Sequence, residues 1–129
     1  MTGPDASPTF VLSSTVLGAP DPRALAGVYR RLLGWEAVTD EPGWVVLRPP
    51  GGGAGLSFQA EEGYRPPVWP TTSEEQQMML HLDLAVDDLD AAAERAVALG
   101  ARLAEHQPQD DVRVVLDPVG HPFCLFVDG

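Results

Sequence analysis

Val114-Val115-Leu116-Asp117-Pro118-Val119-Gly120-His121-Pro122-Phe123-Cys124-Leu125-Phe126 reads as a strand, a Pro/Gly turn and a returning strand. The same frame stands earlier in the chain as Val45-Val46-Leu47-Arg48-Pro49-Pro50-Gly51, followed by the apolar run Leu56-Ser57-Phe58-Gln59. One such hairpin is common chemistry. Two of them, each following a strand and a capped helix, indicate a duplicated unit.

Working outward, the first helix opens at Asp21-Pro22, an N-cap aspartate with proline at the first helical position. Leu25, Val28, Tyr29, Leu32 and Leu33 follow at helical spacing, and Gly34 stands where the helix stops. The second helix opens at Asp87-Asp88, carries a stripe of Leu89, Ala92, Ala96 and Leu99, and ends at Gly100. Strands are predicted at Phe10–Leu17, Trp35–Val38, Trp44–Arg48 and Leu56–Gln59, then at Leu80–Val86, Arg102–Glu105, Val112–Leu116 and Phe123–Val127. The predicted fold is α+β, with two tandem β-α-β-β-β modules forming a curved mixed sheet around a cavity. Residues 1–9 read as a flexible tail, 10–60 as the first module and 80–129 as the second. The linker, 61–79, holds Tyr64 and Trp69 among stiff prolines. A mere tether would be rich in Gly and Ser. This one is expected to pack, with Trp69 either covering a sheet edge or closing a pocket.

Composition narrows the function. The 129 residues are 44% hydrophobic, enough to fill a core. Nineteen acidic residues against eight basic ones leave a net charge of −11, which repels nucleic acid and anionic membranes. A single cysteine, Cys124, excludes an internal disulfide and a cysteine-cluster zinc site. The opening residues lack a signal-peptide pattern, and no apolar run approaches the ~20 residues of a membrane span. A cytoplasmic protein is expected.

Alternation along the strands assigns faces. Leu80, Leu82, Leu84 and Val86 are expected against the helices, as are Val45, Leu47, Val114, Leu116, Phe58 and Leu125. The opposite face then carries Trp44, Ser57, Gln59, His81, Asp83, Arg113, Cys124 and Phe126. With Tyr64 and Trp69 from the linker, this is the mixed lining of a small-molecule pocket. Singly, each has a plainer role. Asp83 can pair with His81 or Arg113, Cys124 is by default a small buried hydrophobe, and His121 reads as a turn residue.

Leu17 to Trp35, with its "Asp…Tyr…Leu-Gly" helix at Asp21, Tyr29, Leu33 and Gly34, resembles the opening of the vicinal oxygen chelate superfamily. That superfamily includes glyoxalases, bleomycin-resistance proteins and extradiol dioxygenases. His81-Leu82-Asp83-Leu84-Ala85-Val86-Asp87-Asp88-Leu89-Asp90, together with Asp117-Pro118-Val119-Gly120-His121-Pro122-Phe123-Cys124-Leu125, is similar to a glyoxalase-like actinobacterial branch. The resemblance covers nearly the whole chain from about Phe10. It implies divalent-metal ligands on the first and last strands of each module. Those positions fall on Ser14 (or Thr15, one residue along), Ser57, His81 and Cys124. Of these only His81 is a ligand of the usual kind, and serine hydroxyls are poor donors for Zn²⁺, Ni²⁺ or Fe²⁺. His81 and Asp83, two apart on one strand, are not expected to converge on an ion. No cofactor is therefore expected; a retained metal would use His81.

Three functions follow from the resemblance. One is a metal-free small-molecule binder of the bleomycin-resistance type. Another is a lyase, isomerase or dioxygenase using His81 as metal ligand, or as a general base oriented by Asp83. The third is a structural or regulatory dimer without a ligand. A homodimer is expected in each case. The acidic surface favours a cationic ligand, whereas Arg65 and Arg113 favour an anionic one.

Overall fold

The computed structural model describes residues 8–71 and 74–127; the predicted tail therefore lies almost wholly outside the described residues. Both helices begin as the caps dictate. α1 spans Pro22–Leu33, and its N-cap Asp21 accepts a hydrogen bond from the Ala24 N–H at 3.2 Å. Gly34 ends it in the left-handed conformation, φ 73°. α2 spans Leu89–Ala98, and Asp88 rather than Asp87 is its cap, accepting from the Ala91 N–H at 3.1 Å.

Around α1 stand β1 (Ser14–Ala19), β2 (Glu36–Glu41), β3 (Trp44–Arg48) and β4 (Gly55–Ala60); around α2 stand β5 (Leu82–Val86), β6 (Arg102–Leu103), β7 (Val112–Leu116) and β8 (Pro122–Val127). They form two four-stranded mixed sheets of identical plan, β1-β4-β3-β2 and β5-β8-β7-β6. In each, the first strand runs parallel to the last, and the remaining pairs are antiparallel. The fold is α+β with tandem βαβββ modules, and the described residues form no closed barrel. Both modules contribute to one hydrophobic core. Leu17, Leu25, Tyr29 and Phe58 from the first join Ala96, Val115, Phe123 and Leu125 from the second. Tyr29 packs on Phe58 and Phe123 with ring centroids 5.6 and 5.9 Å apart.

Three strand expectations are corrected. The first strand begins at Ser14, not Phe10; Phe10, Val11 and Leu12 lie outside it and are exposed. Arg48 holds the entering chain instead, donating to the Ser13 carbonyl at 2.6 Å and to Ser13 Oγ at 2.9 Å. The second module's first strand begins at Leu82, which leaves Leu80 exposed rather than packed on the helix. β6 stops at Leu103 instead of reaching Glu105. Beyond it, the Gln107 amide accepts from the Val114 N–H at 2.8 Å and donates to the Val114 carbonyl at 2.9 Å. The Gln107 side chain thus takes the Val114 N–H that a longer strand would pair, while the Val114 carbonyl still accepts from the Ala104 N–H at 3.0 Å.

The largest correction is one of face. Arg113 pairs with Leu125 and Val115 with Phe123, and Val115, Phe123 and Leu125 all belong to the shared core. Arg113 and Val115 therefore point to the helix side, and Val114 and Leu116 to the other, opposite to the expectation. In the first module the expected assignment of Val45 and Leu47 stands, since they pair with Phe58 and Leu56 within the core. The two Val-Val-Leu frames are structurally one residue out of step, and a one-residue slip inverts every side chain of a strand.

Candidate functional site

Counted back from the caps Asp21 and Asp88, Val16 and Asp83 occupy equivalent places, and they pair respectively with Ser57 and Cys124. Ser14 is thus the first-module counterpart of His81, with no slip to Thr15. Ser14 and Ser57 are tied to each other by a 2.6 Å hydrogen bond between their hydroxyls, and Ser57 is buried. At the corresponding place in the second module, His81 Nε2 stands 3.1 Å from Asp83 Oδ1. One ligand atom each from His81, Asp83 and Cys124 lie within 4.8 Å of one another.

The four positions implied by the resemblance do not fit a divalent ion as a set. Two of them are hydroxyls, weak donors already satisfied by each other. His81 and Asp83, not expected to meet on an ion, lie within hydrogen-bond distance of each other. His81 precedes the regular strand, which starts at Leu82, so the pleat does not hold its ring apart. His81, Asp83 and Cys124 could present nitrogen, oxygen and sulfur donors from one side. Burial, and after it the Asp83 charge, raises the Cys124 thiol above its ordinary pKa, so the sulfur is held as a thiol.

Trp44 pairs with Gln59, and Phe126 with Val112, on the faces that carry Ser57 and Cys124. Arg113 is absent from this group. It reaches α2, where its guanidinium lies 3.6 Å from Asp90. Trp69 sits against the outer strand β6, its ring centroid 5.5 Å from that of His106, and lines a surface hollow with Arg102, Leu103 and Leu116. Of the two roles open to it, this is the edge-covering one.

The second linker aromatic, Tyr64, belongs to a different place. A cavity of about 280 Å³ lies where β1, the linker and the start of β5 meet. Its wall takes Val16, Tyr29, Tyr64, Arg65, His81 and His121, with Met78, Met79 and Leu80 completing an apolar side. A polar network frames it. Tyr29 Oη donates to Asp117 Oδ2 at 2.8 Å, and Asp117 Oδ1 accepts the backbone N–H groups of Val119 and His121, each at 3.0 Å. His121 Nε2 lies 2.8 Å from the Gly18 carbonyl, which fixes that nitrogen as the N–H donor. Tyr64 Oη donates to the Val119 carbonyl at 2.9 Å and lies 3.3 Å from His121 Nε2. Burial is the main cause that raises Asp117 above an ordinary carboxylate, against the lowering pull of His121 and its hydrogen bonds. Burial, with the Asp117 charge behind it, pushes the Tyr64 hydroxyl up to about 12. Tyr29 is shifted upward for the same two reasons.

His121, read from sequence as a turn residue, is thus a bridge between modules. Tyr29, Asp117 and the apolar wall were missed because their partners lie far along the chain. The one local signal was the polar Asp117 and His121 inside an otherwise apolar hairpin.

A family model for the glyoxalase-like domain matches residues 14–126. No curated protein matches the chain. Among solved structures, a glyoxalase/bleomycin resistance protein/dioxygenase family enzyme from Burkholderia phytofirmans superposes with a TM-score of 0.68 at 23% identity, covering 90% of this chain and 97% of its own. A glyoxalase-related enzyme from Fulvimarina pelagi gives 0.64 at 21% identity, with 90% and 86% covered. A possible glyoxalase from Bacillus cereus gives 0.65 at 14%, with 92% and 99% covered. At these identities the likeness is one of fold. With the duplicated βαβββ plan and the family match over nearly its whole length, the chain belongs to the glyoxalase-like domain family, within the vicinal oxygen chelate fold.

Proposed function

We propose that this protein binds a small molecule in the cavity between its modules, without a resident metal, and acts by sequestration as bleomycin-resistance proteins do. The observation that carries this reading is the pairing of Ser14 with Ser57, which leaves one module with no ligand for an ion. The inter-module cavity, apolar on one side and ringed by Tyr64, Arg65, His81 and His121, has the makeup of a ligand site. Elemental analysis of protein purified without chelator tests the metal-free state. A stoichiometric transition metal that disappears in His81→Ala would overturn it. Ligand binding is tested by thermal shift, since a ligand at a hundredfold excess over Kd adds about 2.7 kcal/mol.

The convergence of His81, Asp83 and Cys124 favours a second reading, an enzyme of this fold with His81 as metal ligand or as a base oriented by Asp83. The same elemental analysis separates a metal enzyme from the binder. A cytoplasmic homodimer completes the proposal, with exposed Phe10, Val11 and Leu12 as its apolar surface. Sedimentation of wild type and of a Phe10→Ser, Leu12→Ser double variant tests it, and a wild type that stays monomeric at all concentrations would exclude it.

A further inference from the structure

Among the described residues lining the inter-module cavity, Arg65 is the one arginine, lysine or carboxylate side chain. Arg65 reaches its wall from the linker, with His81 and His121 on other sides. Among the described residues no carboxylate lines it, although acidic residues outnumber basic ones nineteen to eight. The two acids that touch the wall residues are already engaged, Asp83 with His81 and Asp117 with Tyr29 and two backbone N–H groups. Arg65 has no carboxylate partner among the described residues. The other arginine that sequence placed in the pocket, Arg113, is committed to Asp90.

Resting on the binding role proposed above, we infer that the cavity selects a small monoanionic carboxylate with an apolar body. Its carboxylate meets the planar fork of Arg65, which suits two-pronged contact with that group. Its body lies against Val16, Met78 and Leu80. Size and charge sharpen the class. About 280 Å³ falls just below the ~300–1,000 Å³ of drug-sized sites, which indicates a fragment-sized ligand. A single arginine balances one negative charge. A phosphate dianion would leave the second uncompensated within a chain of net charge −11.

A charge series on one apolar body tests this: phenylacetate, phenylacetamide, phenethylamine and phenyl phosphate, titrated by calorimetry against wild type, Arg65→Gln and Val16→Trp. The expected result is that phenylacetate binds roughly tenfold more tightly than the amide, a difference of about 1.4 kcal/mol. Arg65→Gln brings the acid down to the level of the amide, and Val16→Trp, which fills the cavity, removes both. Arg65 is exposed on the linker, so its substitution leaves the fold intact. If the amine or the amide binds as well as the acid, or Arg65→Gln changes nothing, the charge selectivity is wrong while the binding role stands. Tighter binding of phenyl phosphate overturns the monoanion assignment. If no member binds at any accessible concentration, both the selectivity and the cavity's binding role fall.

Discussion

Tyr29, from the helix of the first module, donates a 2.8 Å hydrogen bond to Asp117 in the last hairpin of the second, and both side chains are buried. This contact adds a directional bond between the halves to the hydrophobic core they share. Tyr29→Phe keeps the ring contacts with Phe58 and Phe123 and strands one Asp117 oxygen. Leaving a buried acceptor unpaired costs about 1–3 kcal/mol. Urea unfolding should report that loss, and the thermal midpoint should fall by several degrees.

Asp117 also makes stability depend on pH in an unusual direction. Burial raises its folded-state pKa above the ~3.9 of an unfolded aspartate. Between those two values the folded protein binds the proton more readily than the unfolded chain. The contribution of this group is therefore present at low pH and is lost as pH rises through the folded value. Asp117→Asn abolishes it. The stability of wild type minus that of the variant should grow on acidification, measured by urea unfolding from about pH 7 down to pH 4. A difference that shrinks toward acid would mean that the folded-state pKa is lowered instead.

Arg113→Ala tests the face assignment. Asp90 is 87% exposed, so the 3.6 Å pair is screened by solvent and contributes less than about 1 kcal/mol. Stability should change little, and ligand affinity in the cavity should not change at all. A large loss of binding would restore Arg113 to the pocket.

The Cys124 thiol should alkylate slowly. Its pKa is raised by burial and then by Asp83, and only the thiolate reacts. Iodoacetamide at about pH 8 should modify it well below the rate of a free cysteine, and Asp83→Asn should speed the reaction by removing the repelling charge. Equal rates in the two proteins would mean that access alone governs it.

Gly120 is held at φ 98°, and a Cβ there would stand 3.0 Å from the Cβ of Pro66. Gly120→Ala combines backbone strain with a clash against the linker, and a destabilisation of about 1–3 kcal/mol is expected. Because Pro66 adjoins Arg65 and Pro67 of the cavity wall, the variant should also weaken ligand binding, measured by the same calorimetry.

Local chemistry made most of the fold legible. Asp21-Pro22, Gly34, Asp88 and Gly100 mark both helices, and paired Pro/Gly turns mark both hairpins. What misled was counting along an apparent repeat. The turn between the paired residues Leu47 and Leu56 holds residues 48–55, eight in all, while that between Val115 and Phe123 holds 116–122, seven. That difference moves the second Val-Val-Leu by one place and turns Arg113 toward α2. Strand alternation, which is local, puts Asp83 and Cys124 on one face, and the register pairs them directly; His81 precedes that strand. The Tyr29–Asp117 pair spans 88 positions and the His121–Gly18 pair 103. No periodicity reports contacts of that length; only the anomaly of polar residues in an apolar hairpin hints at them.

The handshake of Ser14 and Ser57 gives the molecule its own blank. One half repeats the backbone of the other with hydroxyls where its twin has an imidazole and a thiol, so a reagent's effect on His81 or Cys124 can be compared with that copy in the same chain. The hydroxyl-bearing half also serves as a wall, its Val16 and Tyr29 lining the hollow beside the His81 of its twin.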